Sequence, residues 1–137
     1  MSRLVLLSAL ALLLPAGASW AQQPLPPGDA AKGAQTFKTC AICHNIGPNA
    51  KIKIGPPLDG VVGRKIASWP GFTYSPGLQK LGKEGKQWDE AALNKWLTNP
   101  RKDVPGTKMI FAGLPNPKQR ANVIAYLKQF DLKGNKK

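Results

Sequence analysis

The sequence predicts an all-α single domain of three to five short helices joined by ordered loops. Three observations lead there. Val123, Ile124, Leu127 and Phe130 recur at the spacing of one helix face. Helix-start chemistry appears at Asp29, Ser75-Pro76, Asp89 and Asn116-Pro117, where a capping side chain or a first-turn proline precedes a helix-compatible run. Residues 47–65 carry glycines and prolines at close intervals, with no strand alternation. With Gly 14 and Pro 13 in 137 residues, the chain is interrupted too often for a long coiled coil, a simple bundle or a repeat array. At 42% hydrophobic and 20% charged residues the composition is globular, and the length suits one domain.

Taken in order, the first segment is an address. Ser2-Arg3 is a positive start, residues 4–14 are an apolar run, and Ser19-Trp20-Ala21 fits a small-x-small cleavage site. The run is shorter than the ~20 residues of a membrane span, which favours a cleaved signal peptide (1–21) over a retained anchor. Cleavage takes the charge from +13 to +12 by removing Arg3, and leaves Met109 as the only methionine. No later run is long enough to span a bilayer, so the expectation is a soluble, exported protein. Residues 22–28, with three prolines, read as a flexible lead-in. The folded domain is placed at 29–132, and 133–137 form a basic C-terminal tail. Within the domain, Asp29 caps a helix ending near Cys40, Ser75-Pro76 opens a short helix ending at Gly82, and Asp89 caps one that Pro100 ends. Residues 101–115 read as a loop with a Pro105-Gly106 turn, and Asn116-Pro117 opens the last helix. Helices this short are marginal alone, and long loops without structure of their own need something to order them. That is a physical reason to look for a cofactor in the core.

Cys40-Ala41-Ile42-Cys43-His44 is C-x-x-C-H, the attachment pattern for c-type haem. Thiols at i and i+3 lie on one side of a helical turn and can reach both vinyl groups of one porphyrin. The adjacent imidazole then meets the iron. An export signal agrees, because covalent haem attachment takes place outside the bacterial cytoplasm. Three alternatives stand beside this reading. A redox dithiol wants a strand–helix setting that is missing here. A local disulfide leaves His44 and the loops unexplained. A zinc site needs further N or S ligands, and the chain has no other Cys or His. His44 being the sole histidine also excludes bis-His ligation within the chain. Met109 is a candidate sixth ligand; methionine is more often flexible core filling, but a lone one in the Gly/Pro-rich segment 105–113 fits that less well. His/Met ligation raises the reduction potential and closes the iron to substrate.

With those segments in place, the chain resembles class I c-type cytochromes, close to the bacterial soluble and mitochondrial cytochromes c. The likeness runs from about Gly33 to Leu127. It is carried by residues 40–44 and 105–113, with Gly55-Pro56, Gly63-Arg64-Lys65, Gly71-Phe72-Thr73-Tyr74-Ser75, Trp88, Asn99-Pro100 and Ile124-Ala125-Tyr126-Leu127 in the expected order. The resemblance implies a cytochrome c fold around one covalent haem c, with thioethers at Cys40 and Cys43 and axial ligands His44 and Met109. It implies that the Pro56 carbonyl accepts the Nδ1 proton of His44, and that Arg64, Tyr74 and Trp88 hydrogen-bond a buried propionate. The bland alternatives for these three are a surface arginine and two core aromatics. Thr107 would lie near the inner propionate, Phe111 at the exposed haem edge, and Gly33 and Phe37 where the first and last helices cross. Two positions depart from the family pattern: Trp96 stands where many relatives have a tyrosine, and Leu78 where many have an asparagine.

The charge suits an anionic membrane, nucleic acid or an acidic protein. Export and the lack of interleaved stacking aromatics argue against nucleic acid. By resemblance Lys38, Lys53, Lys102 and Lys108, with Arg101 nearby, ring the haem edge and meet acidic docking surfaces of membrane redox complexes. The expectation is a monomeric periplasmic electron carrier rather than an enzyme. It would run between a quinol-oxidising complex or dehydrogenase and a terminal oxidase or reaction centre. The competing class is a haem protein with an open or labile sixth site, peroxidase-like or ligand-binding.

Overall fold

A computed structural model describes residues 24–137; the expected signal peptide 1–21 and residues 22–23 of the lead-in lie outside the described residues. Five helices follow in order: α1 Ala30–Cys40, α2 Pro76–Lys83, α3 Glu90–Thr98, α4 Pro100–Asp103 and α5 Pro117–Lys128. Among the described residues there is no strand, only isolated bridges between Lys65 and Gln87 and between Phe130 and Lys136. No helix there is long and apolar enough to cross a membrane.

The helix starts follow from local chemistry. Asp29 accepts from Lys32 N at 3.0 Å and Asp89 from Ala92 N at 2.7 Å, each satisfying an otherwise free first-turn N–H. Asn116 accepts from Lys118 N at 2.8 Å, with Pro117 at the first helical position. Two details differ from the sequence reading. The start of the expected loop 101–115 belongs to α4, because Asn99 accepts from Lys102 N at 3.0 Å and Pro100 opens the turn. Ser75 occupies the cap position of α2 with extended backbone, but its side chain makes no cap bond.

α1 and α5 cross at close quarters. A Cβ on Gly33 would fall 2.0 Å from Asn122 O, so only glycine lets the two backbones meet there. Phe37 stacks against Tyr126 with ring centroids 5.1 Å apart, and Val123 beneath them is 1% exposed. α3 joins through Arg120, whose Nε donates to Asn94 Oδ1 at 2.6 Å while Nη1 donates to Leu114 O at 2.6 Å. The remaining core (Val61, Ile66, Tyr74, Leu78, Trp88, Leu93, Trp96, Leu97 and Val104) is contributed largely by loops and the short helices.

Residues 24–28, at the end of the expected lead-in, lie against α5. Lys118 Nζ donates to Pro27 O at 2.6 Å, Asp29 N donates to Asn122 Oδ1 at 2.8 Å, and Leu25 packs on the core. Three prolines restrict the unfolded chain and make this docking cheaper in entropy. The loop after α1 is held by Asp59, which is 2% exposed and accepts from Gly47 N at 2.7 Å. Burial pushes the Asp59 carboxyl above the ordinary carboxylate range, against the pull of the Gly47 bond and the Arg64 charge.

Two outcomes follow from this packing. Gly33→Ala should destabilise the fold by ~1–3 kcal/mol in denaturant unfolding, because the added methyl meets backbone that cannot rotate away. Asp59→Asn keeps an acceptor for Gly47 but removes a buried charge. Since the folded acid titrates above the unfolded one, ionisation weakens the fold as pH rises through that interval. The variant should therefore unfold at higher denaturant than wild type at pH 7, with the difference shrinking as pH falls toward 4.

Candidate functional site

α1 delivers the cysteines. Cys40 is its last residue, and the turn continues with Cys43 N donating to Cys40 O at 3.0 Å and His44 N to Cys40 O at 2.9 Å. Both thiols are free and half-buried, and burial raises the Cys40 thiol above its ordinary range. The loop that follows returns alongside: Gly55 N donates to Cys43 O at 2.9 Å and Leu58 N to Asn45 O at 2.9 Å.

That return path grips the His44 ring. Nδ1 donates to Pro56 O at 2.7 Å, which leaves Nε2 as the lone-pair nitrogen. Gly55 lies against the ring face, where a Cβ would sit 2.3 Å from Cε1. Burial lowers the imidazole's proton affinity, and the charges of Arg64 and Lys53 act in the same direction, so the ring is held neutral. Among the described residues no three His, Cys, Asp or Glu side chains are grouped to hold an ion.

Arg64 and Trp88 come together through backbone pairing. Trp88 N donates to Arg64 O at 2.8 Å and Gly63 N to Trp88 O at 2.8 Å. The Arg64 guanidinium donates to Asp59 O at 2.7 Å and Pro57 O at 3.0 Å, and stacks over Trp69 at 4.9 Å. It is thus no free surface cation; it braces the same loop that carries Pro56. The Tyr74 hydroxyl oxygen accepts from Trp69 N at 3.1 Å, and Tyr74 and Trp88 are each 9% exposed. Next to Tyr74, Ser75 Oγ is the one buried side-chain polar atom without a partner among the described residues. Sequence reasoning missed it, since a serine before a proline reads as a helix cap. A buried hydroxyl lacking a partner calls for a polar group to meet it.

Met109 lies half-buried against the core, in a loop pinned at both ends. Thr107 N donates to Val104 O at 3.1 Å, and Leu114 N to Leu97 O at 2.7 Å. Gly113, at φ +100°, runs against the end of α3, where a Cβ would be 2.1 Å from Thr98 O. Thr107 Oγ1 accepts from Met109 N at 3.3 Å, and Phe111 packs on the core beyond it. Trp96, 6% exposed, belongs to the same core, with its ring 5.3 Å from Trp88.

Lys38, Lys53, Arg101, Lys102 and Lys108 are exposed. Lys53 Nζ reaches Ala41 O at 2.7 Å, which sets it at the end of α1 near Lys38. Lys108 Nζ reaches Thr73 O at 3.2 Å, tying the Met109 loop to the segment before Tyr74. These residues suit a covalent haem: two free thiols a turn apart, a neutral imidazole with one nitrogen engaged, a thioether in an apolar wall, and an unpaired buried hydroxyl.

Comparison with known proteins agrees. The family profile described as Cytochrome c matches residues 30–131. Cytochrome c2 of Rhodomicrobium vannielii is 51% identical over 108 residues, covering 79% of this chain and 84% of that one. Cytochrome c-554 of Methylosinus trichosporium is 43% identical over 136 residues, covering 99% and 97%. The structure of cytochrome c2 from Rhodospirillum centenum superposes with a TM-score of 0.71 at 39% identity, covering 76% of this chain and 99% of that one. The family carries one covalent haem c, for which this chain supplies Cys40 and Cys43, and its members transfer electrons. The chain belongs to the cytochrome c family.

Proposed function

We propose that the exported chain is a soluble, monomeric periplasmic electron carrier with a closed, six-coordinate haem iron. In this reading it takes an electron from a membrane quinol-oxidising complex or dehydrogenase and passes it to a terminal oxidase or reaction centre. The bound haem supplies a one-electron iron couple; the residues decide what that couple can do. Cys40 and Cys43 would anchor it as thioethers, His44 would bind through Nε2 with its tautomer set by Pro56, and Met109 would be the second protein ligand. Arg64, Tyr74, Trp88 and Ser75 hold the propionate end away from water, with Thr107 near it. The observation that carries this reading is the 2.7 Å bond from His44 Nδ1 to Pro56 O, which presents a fixed, neutral nitrogen beside the two thiols.

The surface supports a carrier. Lys53 Nζ on Ala41 O and Gly55 N on Cys43 O set Ile54 beside Ile42, and these side chains are 76% and 67% exposed. A small apolar patch beside Lys53, with Lys38, Arg101, Lys102 and Lys108 as the further cations the family likeness implies, suits a weak, quickly released complex with an acidic docking surface. Raising ionic strength from ~0.01 M to ~0.15 M shortens the screening length from ~30 Å to ~8 Å. The second-order electron-transfer rate to an acidic membrane redox partner should fall about tenfold or more in stopped-flow measurements. A flat response would leave these cations as solvated surface.

Met109→Ala should remove the weak far-red sulfur band, lower the reduction potential and let the reduced protein bind carbon monoxide. An unchanged spectrum would remove Met109 as a ligand and return the open-site reading.

A further inference from the structure

The residues after α5 fold back as a hairpin. Lys137 N donates to Gln129 O at 2.8 Å, and Phe130 pairs with Lys136. Asp131 organises the turn: its N–H donates to Asn135 O at 3.0 Å, and its carboxylate accepts from Lys133 N at 2.8 Å and Asn135 N at 2.9 Å. This hairpin touches the loop 47–60 at both of the loop's ends. Gly134, at φ +80°, lies so close to Gly47 that an added Cβ would stand 2.2 Å from the Gly47 carbonyl carbon. Gly60, at φ +57°, lies so close to Leu132 that an added Cβ would stand 2.9 Å from its nitrogen. Between these two contacts the loop carries Gly55 and Pro56, which meet the His44 ring.

We propose that the C-terminal hairpin 130–136 is a positioning strap: by fastening both ends of the loop 47–60 it holds the Pro56 carbonyl on His44 Nδ1. Backbone meets backbone at both points, with the Leu132 side chain also against Gly60, so the contacts fix position as well as cover apolar surface. Asp59 closes the same loop from inside through Gly47 N, and Arg64 braces its middle through Pro57 O. The strap completes this frame from outside. Its meaning for electron transfer rests on His44 being the iron ligand.

The test uses the haem-loaded protein with Gly134→Ala, and a second form shortened to end at Phe130. Amide hydrogen exchange is followed at Gly55 and Leu58, whose N–H groups bond Cys43 O and Asn45 O, together with the His44 ring N–H. Amides of Gly33 and Phe37 at the α1–α5 crossing serve as reference. The strap predicts exchange about tenfold faster at Gly55, Leu58 and His44, with the reference amides unchanged, as expected for local rather than global opening. Leu132→Met should keep the wild-type rates. Unmoved rates at Gly55 and Leu58, or equal acceleration of the reference amides, would overturn the strap. A wild-type spectrum without His44 on the iron would instead overturn the ligand reading beneath it. If the shortened form does not fold, Gly134→Ala carries the comparison alone.

Discussion

The bond from His44 Nδ1 to the Pro56 carbonyl is the constraint on which the rest of the structure depends. A lone histidine offers two nitrogens and a freely turning ring. To act as a fixed donor it must lose that freedom, and a backbone carbonyl 2.7 Å away removes it. The carbonyl can stand there only because Gly55 has no side chain to strike the ring face. Gly55 in turn is placed by its own N–H on Cys43 O, so the thiols, the imidazole and its acceptor form one covalent and hydrogen-bonded unit. Arg64, Asp59 and the neighbouring tryptophans then serve to keep that loop where the histidine needs it.

Much of the fold consists of loops, and the loops are ordered by backbone approaching backbone. Gly60 against Leu132, Gly113 against Thr98 and Gly134 against Gly47 leave no room for a Cβ. Each contact joins segments far apart in the chain, and each replaces a regular element that the sequence does not form. The short helices contribute by crossing, as α1 and α5 do, rather than by length. A haem c among these segments adds what a core of this kind otherwise lacks, a large apolar body that many loops can touch at once.

What was legible in the sequence was what acts over a few residues. The caps at Asp29, Asp89 and Asn116 announced three helices through one side chain each, and C-x-x-C-H announced the cofactor through spacing alone. α4 was passed over although Asn99-Pro100 carries the same signal as Asn116-Pro117, since a single turn offers no periodicity to notice. Ser75 read as a cap because identity and position suit one; only burial shows its hydroxyl turned elsewhere. The docking of residues 24–28 on α5 and the C-terminal hairpin on the loop 47–60 were not legible. Both rest on glycine meeting distant backbone (Gly28, where a Cβ would stand 2.2 Å from Ala121 O, and Gly134 against Gly47), and a glycine in sequence looks the same whether it eases a turn or admits a neighbour. Met109 stood out as a lone methionine in a Gly/Pro-rich segment, whereas the roles proposed for the propionate residues came from family likeness; the structure gives the positions of these side chains.

The central claim is an iron closed on both sides, His44 on one and Met109 on the other. The most direct measurement is the absorption spectrum of the reduced, purified wild-type protein before and after carbon monoxide. The account predicts covalent haem with sharp reduced bands and no change on adding the gas. Ready carbon monoxide binding by the intact protein would contradict it, because a closed iron has no position to offer.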